Sequence, residues 1–155
     1  MIACFFGLKG HVATIALENR KTVNSDWYVN NCLKEVFKKW QEKHPKSGLR
    51  RLLLHHDNAS VHSAKATVQF LEESRVQTIG HPPYSPDLAP CDFYLFPMVK
   101  EKLRGRKFPT PNDAVDEFQR VVEEIDPEEW KNCFKKWFKR MERCIECEGR
   151  YFEKM

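Results

Sequence analysis

Two aspartates stand where carboxylates could bind a divalent metal ion. Asp57 follows the segment Arg51–His56, whose continuous apolar run Leu52–Leu54 has the pattern of a strand buried on both faces. In open α/β sheets, ligand and metal sites gather at the carboxyl ends of strands. Asp92 opens a predicted helix beyond a proline-rich segment. Carboxylates suit Mg²⁺ or Mn²⁺, and two such ions can activate water for phosphodiester cleavage. Because aspartate is also an ordinary choice at strand ends and helix N-caps, position alone leaves the role open.

The elements that would position these carboxylates have the predicted order ββαβαβααα. Ile2–Phe6 and His11–Leu17 form a predicted hairpin, and Val76–Ile79 is a further strand. A helix with Ser25 as its N-cap should end before Pro45. Its apolar residues recur at helical spacing: Val29, Cys32, Leu33, Val36, Phe37 and Trp40.

The second half of the chain is predicted to be helical after an ordered loop. Four prolines in His81–Pro90 exclude a regular ladder or helix there. A helix from Cys91 should bend at Pro97, and two strongly periodic helices should begin at the caps Thr110 and Asp126. The first helix would place Asp92, Phe96, Val99 and Leu103 on one side. The predicted core faces of the other two helices are Ala114, Val115, Phe118, Val121, Val122 and Ile125, and Trp130, Cys133, Phe134, Trp137, Met141, Cys144 and Ile145.

The composition is that of a folded protein of about one domain. The 155 residues are 41% hydrophobic and 31% charged, which argues against disorder. No apolar stretch approaches the roughly 20 residues that cross a bilayer, so we expect an intracellular protein without a membrane partner. Six scattered cysteines favour reduced thiols over a disulfide scaffold.

Positive charge is concentrated in two places, although the net charge is only +4. One cluster precedes Phe108, and the other lies on the last helix. Each could contact DNA phosphates or could be a solvated helix face. The first cluster, our candidate DNA-binding residues, is Lys100, Lys102, Arg104, Arg106 and Lys107; the second is Lys131, Lys135, Lys136, Lys139, Arg140 and Arg143.

Two other groups invite a metal-site interpretation that the residue types do not favour. Cys144 and Cys147 are a single pair on a predicted helix, without a second pair at ligand spacing, so buried free thiols are expected. Three histidines lie near Asp57, but Mg²⁺ does not prefer imidazole, so packing or support of the aspartate is the better interpretation. These histidines are His55, His56 and His62.

The residues around the two aspartates closely resemble the catalytic region of mariner-type DNA transposases. The resemblance runs from Met1 to a closing motif at residues 149–153. A related sequence forms the transposase half of a primate protein fused to a SET-domain histone methyltransferase. Nothing here resembles a SET domain, so no methyltransferase activity is expected. The matching motifs are Leu54-His55-His56-Asp57-Asn58-Ala59 and His81-Pro82-Pro83-Tyr84-Ser85-Pro86-Asp87-Leu88-Ala89-Pro90-Cys91-Asp92-Phe93.

The resemblance implies an α/β, ribonuclease H-like (retroviral integrase-like) fold with C-terminal helices and a triad of metal-binding aspartates. Asp57 would be the second and Asp92 the third. The first would lie on a central strand before Ile2, so residues 1–155 are expected to be a partial catalytic domain without that strand or the family's N-terminal helix-turn-helix modules. Two separate sheet fragments would then remain. We expect weak Mg²⁺ or Mn²⁺ binding and little or no strand cleavage by this chain alone.

The resemblance also implies DNA, in the form of transposon ends, as the partner, the nucleus as the location, and a homodimer as an expected assembly. The motif Tyr84–Leu88 is associated in the family with subunit and DNA contacts, although a rigid proline turn that supports Asp92 fits it equally well. Two alternatives to a transposase stay open. One is a domesticated module that binds DNA or protein without chemistry, and the other is a decayed transposon remnant.

Overall fold

The computed structural model describes residues 1–18 and 22–149, which divide into two compact units. The first unit comprises Met1–Phe6 and Val12–Pro83, and the second comprises Gly7–His11 and the chain from Tyr84 onward. The predicted element order ββαβαβααα is confirmed, with a few additional short helical turns. Most of the closing motif, residues 150–153, lies outside the described residues.

The strands form two separate two-stranded sheets. β1 (Ile2–Gly7) pairs with β2 (Gly10–Ala16), and β3 (Leu53–His55) pairs in parallel with β4 (Gln77–Ile79). In the part of the chain that the structure describes, no strand joins the two sheets, in agreement with the expectation of two separate sheet fragments. The parallel register places His55 opposite Ile79, so both strands end at the same edge.

One long helix follows the hairpin and packs on its inner face. It consists of α1 (Ser25–Trp27), a π-helical segment (Tyr28–Leu33) and α2 (Lys34–Lys43), with helical backbone at each junction. The N-cap is Asn24, not the predicted Ser25, because Asn24 has extended backbone and its Oδ1 accepts a hydrogen bond from the Trp27 amide at 2.8 Å. The helix ends before Pro45, as predicted.

The core of the first unit joins this helix to the strands. Leu54 on β3 is buried, but Leu53 is 56% exposed, so the prediction of a strand buried on both faces is wrong. Side chains alternate along a strand, and only the Leu54 face meets the core. After β3 come α3 (Ser60–Ser63) and α4 (Lys65–Glu73). The buried residues are Ala13, Tyr28, Val29, Cys32, Leu33, Val36, Phe37, Leu52, Leu54, Leu71 and Val76.

The second unit is helical. A 3₁₀ turn (Pro86–Leu88) precedes a π-helical segment (Cys91–Leu95) that continues into α5 (Phe96–Leu103). Pro97 lies at the start of α5, just after the π-helical turn, where its missing N–H costs no α-helical hydrogen bond. α6 (Pro111–Glu123) and α7 (Pro127–Glu146) complete the unit.

Both predicted caps of these helices are confirmed. The Thr110 side chain accepts a hydrogen bond from the Asp113 amide, and Asp113 bonds back to the Thr110 amide, which is a capping box. The Asp126 carboxylate accepts from the Glu128 amide at 2.8 Å. On α7 the predicted core face is wrong at Ile145, which is 78% exposed, because the buried face centres on Trp130, Cys133 and Trp137 and Ile145 lies at its edge.

Candidate active site

Asp57 lies just beyond the carboxyl end of β3, in a turn that fixes its carboxylate. Oδ1 accepts a hydrogen bond from the Ala59 amide at 3.1 Å and contacts His62 Nδ1 at 2.9 Å. α3 folds the chain back so that the ring of His62 reaches the residue five positions before it. Both side-chain bonds fall on Oδ1, and half of the Asp57 side chain is exposed. Among the described residues no hydrogen bond is made to the other oxygen, which is therefore available to a cation.

The charge state of Asp57 also suits a cation. Burial raises the pKa of the carboxyl, but the Ala59 amide, His62 and His81 together lower it below its ordinary value. The carboxylate is therefore ionised at neutral pH. A half-exposed, ionised oxygen ligand at a strand end is chemically suited to Mg²⁺ or Mn²⁺.

Tyr28 and two histidines pack together beside the Asp57 carboxylate. The rings of His56 and His62 stack with centroids 4.4 Å apart, and the Tyr28 ring lies 4.6 Å from His62. Tyr28 Oη and His56 Nδ1 share a hydrogen bond of 3.1 Å. These contacts agree with the interpretation of the histidines as packing groups. The role of Tyr28, which comes from the long helix, was not predicted.

A second set of contacts ties the end of β3 to the chain that follows β4. His55 Nε2 lies 3.2 Å from His81 Nδ1, and Asn58 Nδ2 donates to the His81 carbonyl oxygen at 2.7 Å. Because β3 and β4 are parallel and in register, their ends meet here. The segment that carries Asp57 is thus held on both sides of the aspartate.

Two half-buried histidines, His55 and His56, make the fold sensitive to acid. Burial, helped by neighbouring histidines, lowers the pKa of His55 and of His56 to about 4, whereas an unfolded chain titrates near 6.5. Between these values the unfolded state binds protons that the folded state does not, so stability falls as pH falls. After a discount for partial exposure, we expect a loss of roughly 1–3 kcal/mol between pH 7 and 4.5. Urea unfolding at a series of pH values measures it.

His56→Asn is the matched control for this prediction. Asparagine keeps a polar atom near the position of Nδ1 for Tyr28, but it takes up no proton in this range. The variant should therefore lose less stability on acidification than the wild-type chain. An equal or steeper loss in the variant would show that His56 does not contribute to the acid sensitivity.

Asp92, the second candidate ligand, lies in the first turn of the π-helical segment in the other unit. Its side chain is exposed, and its amide donates to the Ala89 carbonyl oxygen at 2.8 Å. Two side chains from α7 brace the preceding turn. Trp137 Nε1 donates to the Leu88 carbonyl oxygen at 2.8 Å, in a buried hydrogen bond, and Arg140 Nη1 donates to the Asp87 carbonyl oxygen at 3.2 Å.

Arg140 was assigned from sequence to the outer basic face of the last helix, and this is wrong. The side chain is only partly exposed, and its guanidinium lies 4.4 Å from the ring centroid of Phe93. Arg140 follows Trp137 by three residues, so both lie on the same side of α7. The three-residue spacing from Trp137 was the sequence signal that could have placed Arg140 on this side of the helix.

In the motif Tyr84–Leu88, the Tyr84 side chain is 98% exposed and Leu88 is buried.

The hydrogen bond from Trp137 to the Leu88 carbonyl oxygen should contribute to stability beyond the packing of the Trp137 ring. Trp137→Phe keeps most of the buried ring but removes the donor to the Leu88 carbonyl, so we expect a loss of about 1–2 kcal/mol in the free energy of unfolding. Lys136→Met, at the exposed neighbouring position, should change it by less than about 0.5 kcal/mol. Urea unfolding compares the two variants. Equal losses would mean that the indole hydrogen bond does not stabilise this turn.

The candidate DNA-binding residues before Phe108 differ in whether they form ion pairs with carboxylates. Arg104 Nη2 pairs with Glu101 at 2.7 Å, and Arg106 pairs with Glu117, whose pKa is held well below its usual range by the arginines around it. The other three members, Lys100, Lys102 and Lys107, are exposed. Exposed lysines are the more effective contacts to phosphate, because a paired arginine must first break its ion pair with glutamate.

The side chains that the structure describes include no cluster of three or more potential metal ligands. Within residues 1–18 and 22–149, no three His, Cys, Asp or Glu side chains form a group that could hold a metal ion. All six cysteines are free thiols, as predicted, but Cys144 and Cys147 are half-buried, not buried. Across the same ranges, no helix combines the length and apolar character needed to cross a bilayer.

Comparison with known proteins identifies the family. Residues 9–114 match the family of DDE superfamily endonucleases. The Mariner Mos1 transposase of Drosophila mauritiana is 28% identical over 159 residues, covering 99% of this chain and 45% of that protein. The histone-lysine N-methyltransferase SETMAR of Homo sapiens is 36% identical over 101 residues, covering 65% of this chain and 15% of that protein. The chain thus spans less than half the length of either relative.

Solved structures agree with the sequence comparison. The crystal structure of the catalytic domain of Mos1 mariner transposase matches with a TM-score of 0.90 at 28% identity, covering 98% of this chain and 75% of that one. The Mos1 mariner paired end complex with Mn matches with a TM-score of 0.89 at 27% identity, covering 98% of this chain and 44% of that one. The chain therefore belongs to the DDE superfamily of endonucleases, has a ribonuclease H-like fold, and corresponds to part of the catalytic domain of a mariner transposase.

Proposed function

We propose that this chain supplies two ligands of a Mg²⁺- or Mn²⁺-dependent centre that cleaves and joins DNA strands during transposition. Asp57 would be the second acidic ligand of the family's triad and Asp92 the third. The observation that carries the proposal is the Asp57 carboxylate, ionised and half-exposed at the end of β3, with its hydrogen bonds on one oxygen only. The match to DDE endonucleases supports it.

The residues of this chain prepare the site rather than carry out bond breaking. Asp57 offers an oxygen of fixed orientation, and Asp92 stands on a helix whose preceding turn is braced by Trp137 and Arg140. Bound divalent ions would supply an activated water molecule and stabilise the leaving oxygen. Two carboxylates are few for such a centre, so we propose that this chain alone binds metal weakly and cleaves DNA poorly, and that a further aspartate on a preceding strand completes the site.

The proposal extends to the partners of the whole protein. The relatives include Mos1 structures described as paired-end and strand transfer complexes. By analogy we propose transposon-end DNA as the substrate, a homodimer as the assembly and the nucleus as the site of action. Phosphate contacts from this chain would come mainly from the exposed lysines of the cluster before Phe108, namely Lys100, Lys102 and Lys107.

Binding of Mn²⁺ tests the ligand assignment directly. The wild-type chain is titrated with Mn²⁺ and free ion is followed by electron paramagnetic resonance, in parallel with Asp57→Asn and Asp92→Asn. Each substitution removes a ligand charge and conserves shape, so affinity should fall by about tenfold or more. Asp26→Asn, an exposed aspartate in the first turn of α1, is the matched control and should bind as the wild type does. Unchanged affinity in either test variant would overturn its assignment.

A non-catalytic DNA-binding module is the second candidate. It is favoured by the exposed lysines, which need no metal to contact phosphate. The two functions separate in one comparison: a module would bind DNA equally with and without Mn²⁺ and would be indifferent to Asp57→Asn. A transposase centre would bind Mn²⁺ and lose that binding with the same substitution.

A further inference from the structure

His62 makes an unusual pair of contacts with a single residue. Its Nδ1 lies 2.9 Å from Oδ1 of Asp57 and 3.0 Å from the backbone carbonyl oxygen of the same aspartate. Both neighbours are acceptors, so Nδ1 must carry the proton and donate to them. One N–H therefore spans the side chain and the main chain of Asp57. This restricts rotation of the carboxylate relative to its own backbone.

The ring that makes these contacts is itself held in place. His56 stacks on it with an interplanar angle of 7°, and Tyr28 packs at 4.6 Å. Tyr28 is buried in the core of its unit, and its hydroxyl bonds His56. The His62 side chain is only 19% exposed. The rings of His62 and Tyr28 thus link the Asp57 carboxylate to the hydrophobic core of the unit.

From this geometry we infer that His62 is a positioning residue for Asp57. It orients Oδ1 through the Nδ1–H bond and leaves the second oxygen available to a divalent cation. The inference rests on the proposed function, because it assigns His62 a role in a site where Asp57 is a metal ligand. Partners of this kind fix ligand orientation, and their removal commonly weakens metal binding by 10–100-fold.

The stereochemistry of asparagine gives a sharp test. The amide nitrogen of Asn can replace Nδ1 of a histidine, whereas alanine removes the donor. The chains compared are the wild type, His62→Ala, His62→Asn and Asp57→Asn, together with Asp57→Asn combined with His62→Ala. His44→Ala is the matched control, since His44 is also a stacked histidine with Nδ1 on a backbone carbonyl, that of Trp40.

Mn²⁺ affinity is the first measurement. His62→Ala should weaken binding about tenfold, and His62→Asn should stay within about threefold of the wild type. In the Asp57→Asn background, His62→Ala should have no further effect, because a residue that acts through Asp57 cannot act when that ligand is absent. A full effect of His62→Ala in that background would overturn the inference. So would equal losses in His62→Ala, His62→Asn and His44→Ala.

The second measurement needs no metal, so it separates this inference from the proposed function. The amide proton of Ala59 donates to Asp57 Oδ1, and its NMR chemical shift reports the carboxylate orientation. We expect that shift to change in His62→Ala and to be retained in His62→Asn and His44→Ala. If the wild-type chain binds no Mn²⁺ while the Ala59 shift behaves as expected, the proposed function fails and the positioning role stands. An Ala59 shift that is unmoved in His62→Ala overturns the positioning role.

Discussion

A chain lengthened at its N-terminus by the strand that carries the family's first aspartate should nick DNA in the presence of Mg²⁺ or Mn²⁺. In that longer chain, Asp57→Asn or Asp92→Asn should lower the nicking rate by about 10³-fold or more, the scale found when a central catalytic group is removed. Each change deletes a ligand charge while it preserves side-chain shape, so a misfolded variant is not the expected cause. Nicking of a supercoiled plasmid measures the rate.

The unextended chain and Asp26→Asn in the extended chain are the controls for this experiment. The unextended chain should show little or no nicking, because the proposed site needs the aspartate that the added strand carries. Efficient metal-dependent nicking without the extension would show that the added strand is not essential. Full activity in either asparagine variant of the extended chain would show that the wrong carboxylate had been assigned.

DNA binding by the chain should be strongly dependent on salt and largely independent of sequence. Contacts to about four phosphates predict roughly a 100-fold loss of affinity between 50 and 200 mM salt. Replacing Lys100, Lys102 and Lys107 together with glutamine should flatten the slope of log affinity against log salt by about 3. Arg104→Gln should change the slope less, because Arg104 is paired with Glu101. Fluorescence anisotropy with random duplexes and with duplexes that carry transposon inverted repeats measures both effects.

Two results would contradict this account of DNA binding. A strong preference for the inverted repeats at moderate salt would mean that the chain reads base edges, which phosphate contacts alone cannot do. If the slope of log affinity against log salt is unchanged in the triple lysine variant, the DNA interface lies elsewhere on the chain. The basic outer face of α7 would then be the next surface to test. The remaining lysines there include Lys135, Lys136 and Lys139, which line an open cavity of about 290 Å³ with Tyr94.

Local signals in the sequence were sufficient for the helices and their caps. Thr110 and Asp126 each precede a proline at the first helical position, and a capping residue with that neighbour starts a helix in nearly any context. The apolar spacing after Asn24 also gave the buried face of the long helix correctly. The cap was misplaced by one residue, because Asn24 and Ser25 are both good N-caps and only the backbone conformation distinguishes them.

Features that depend on distant contacts were not accessible from the sequence. The exposure of Leu53 depends on which face of β3 the core covers, and an apolar run carries no such information. Arg140 was grouped with its charged neighbours because charge patterning does not show that its guanidinium packs on Phe93. The sequence did place His62 near Asp57, but the contact of its Nδ1 with Oδ1 depends on the one-turn helix α3, which is too short to leave a periodic signal.

The proposed function requires that Asp57 and Asp92 bind the same divalent cation centre. Anomalous diffraction from crystals of the chain soaked in Mn²⁺ tests this requirement most directly, because the anomalous signal of manganese locates the ion. We predict an anomalous peak with carboxylate oxygens of both Asp57 and Asp92 at about 2.0–2.3 Å, the range for small divalent cations on oxygen ligands. A Mn²⁺ ion bound at full occupancy to other residues, with neither aspartate in contact, would contradict the claim.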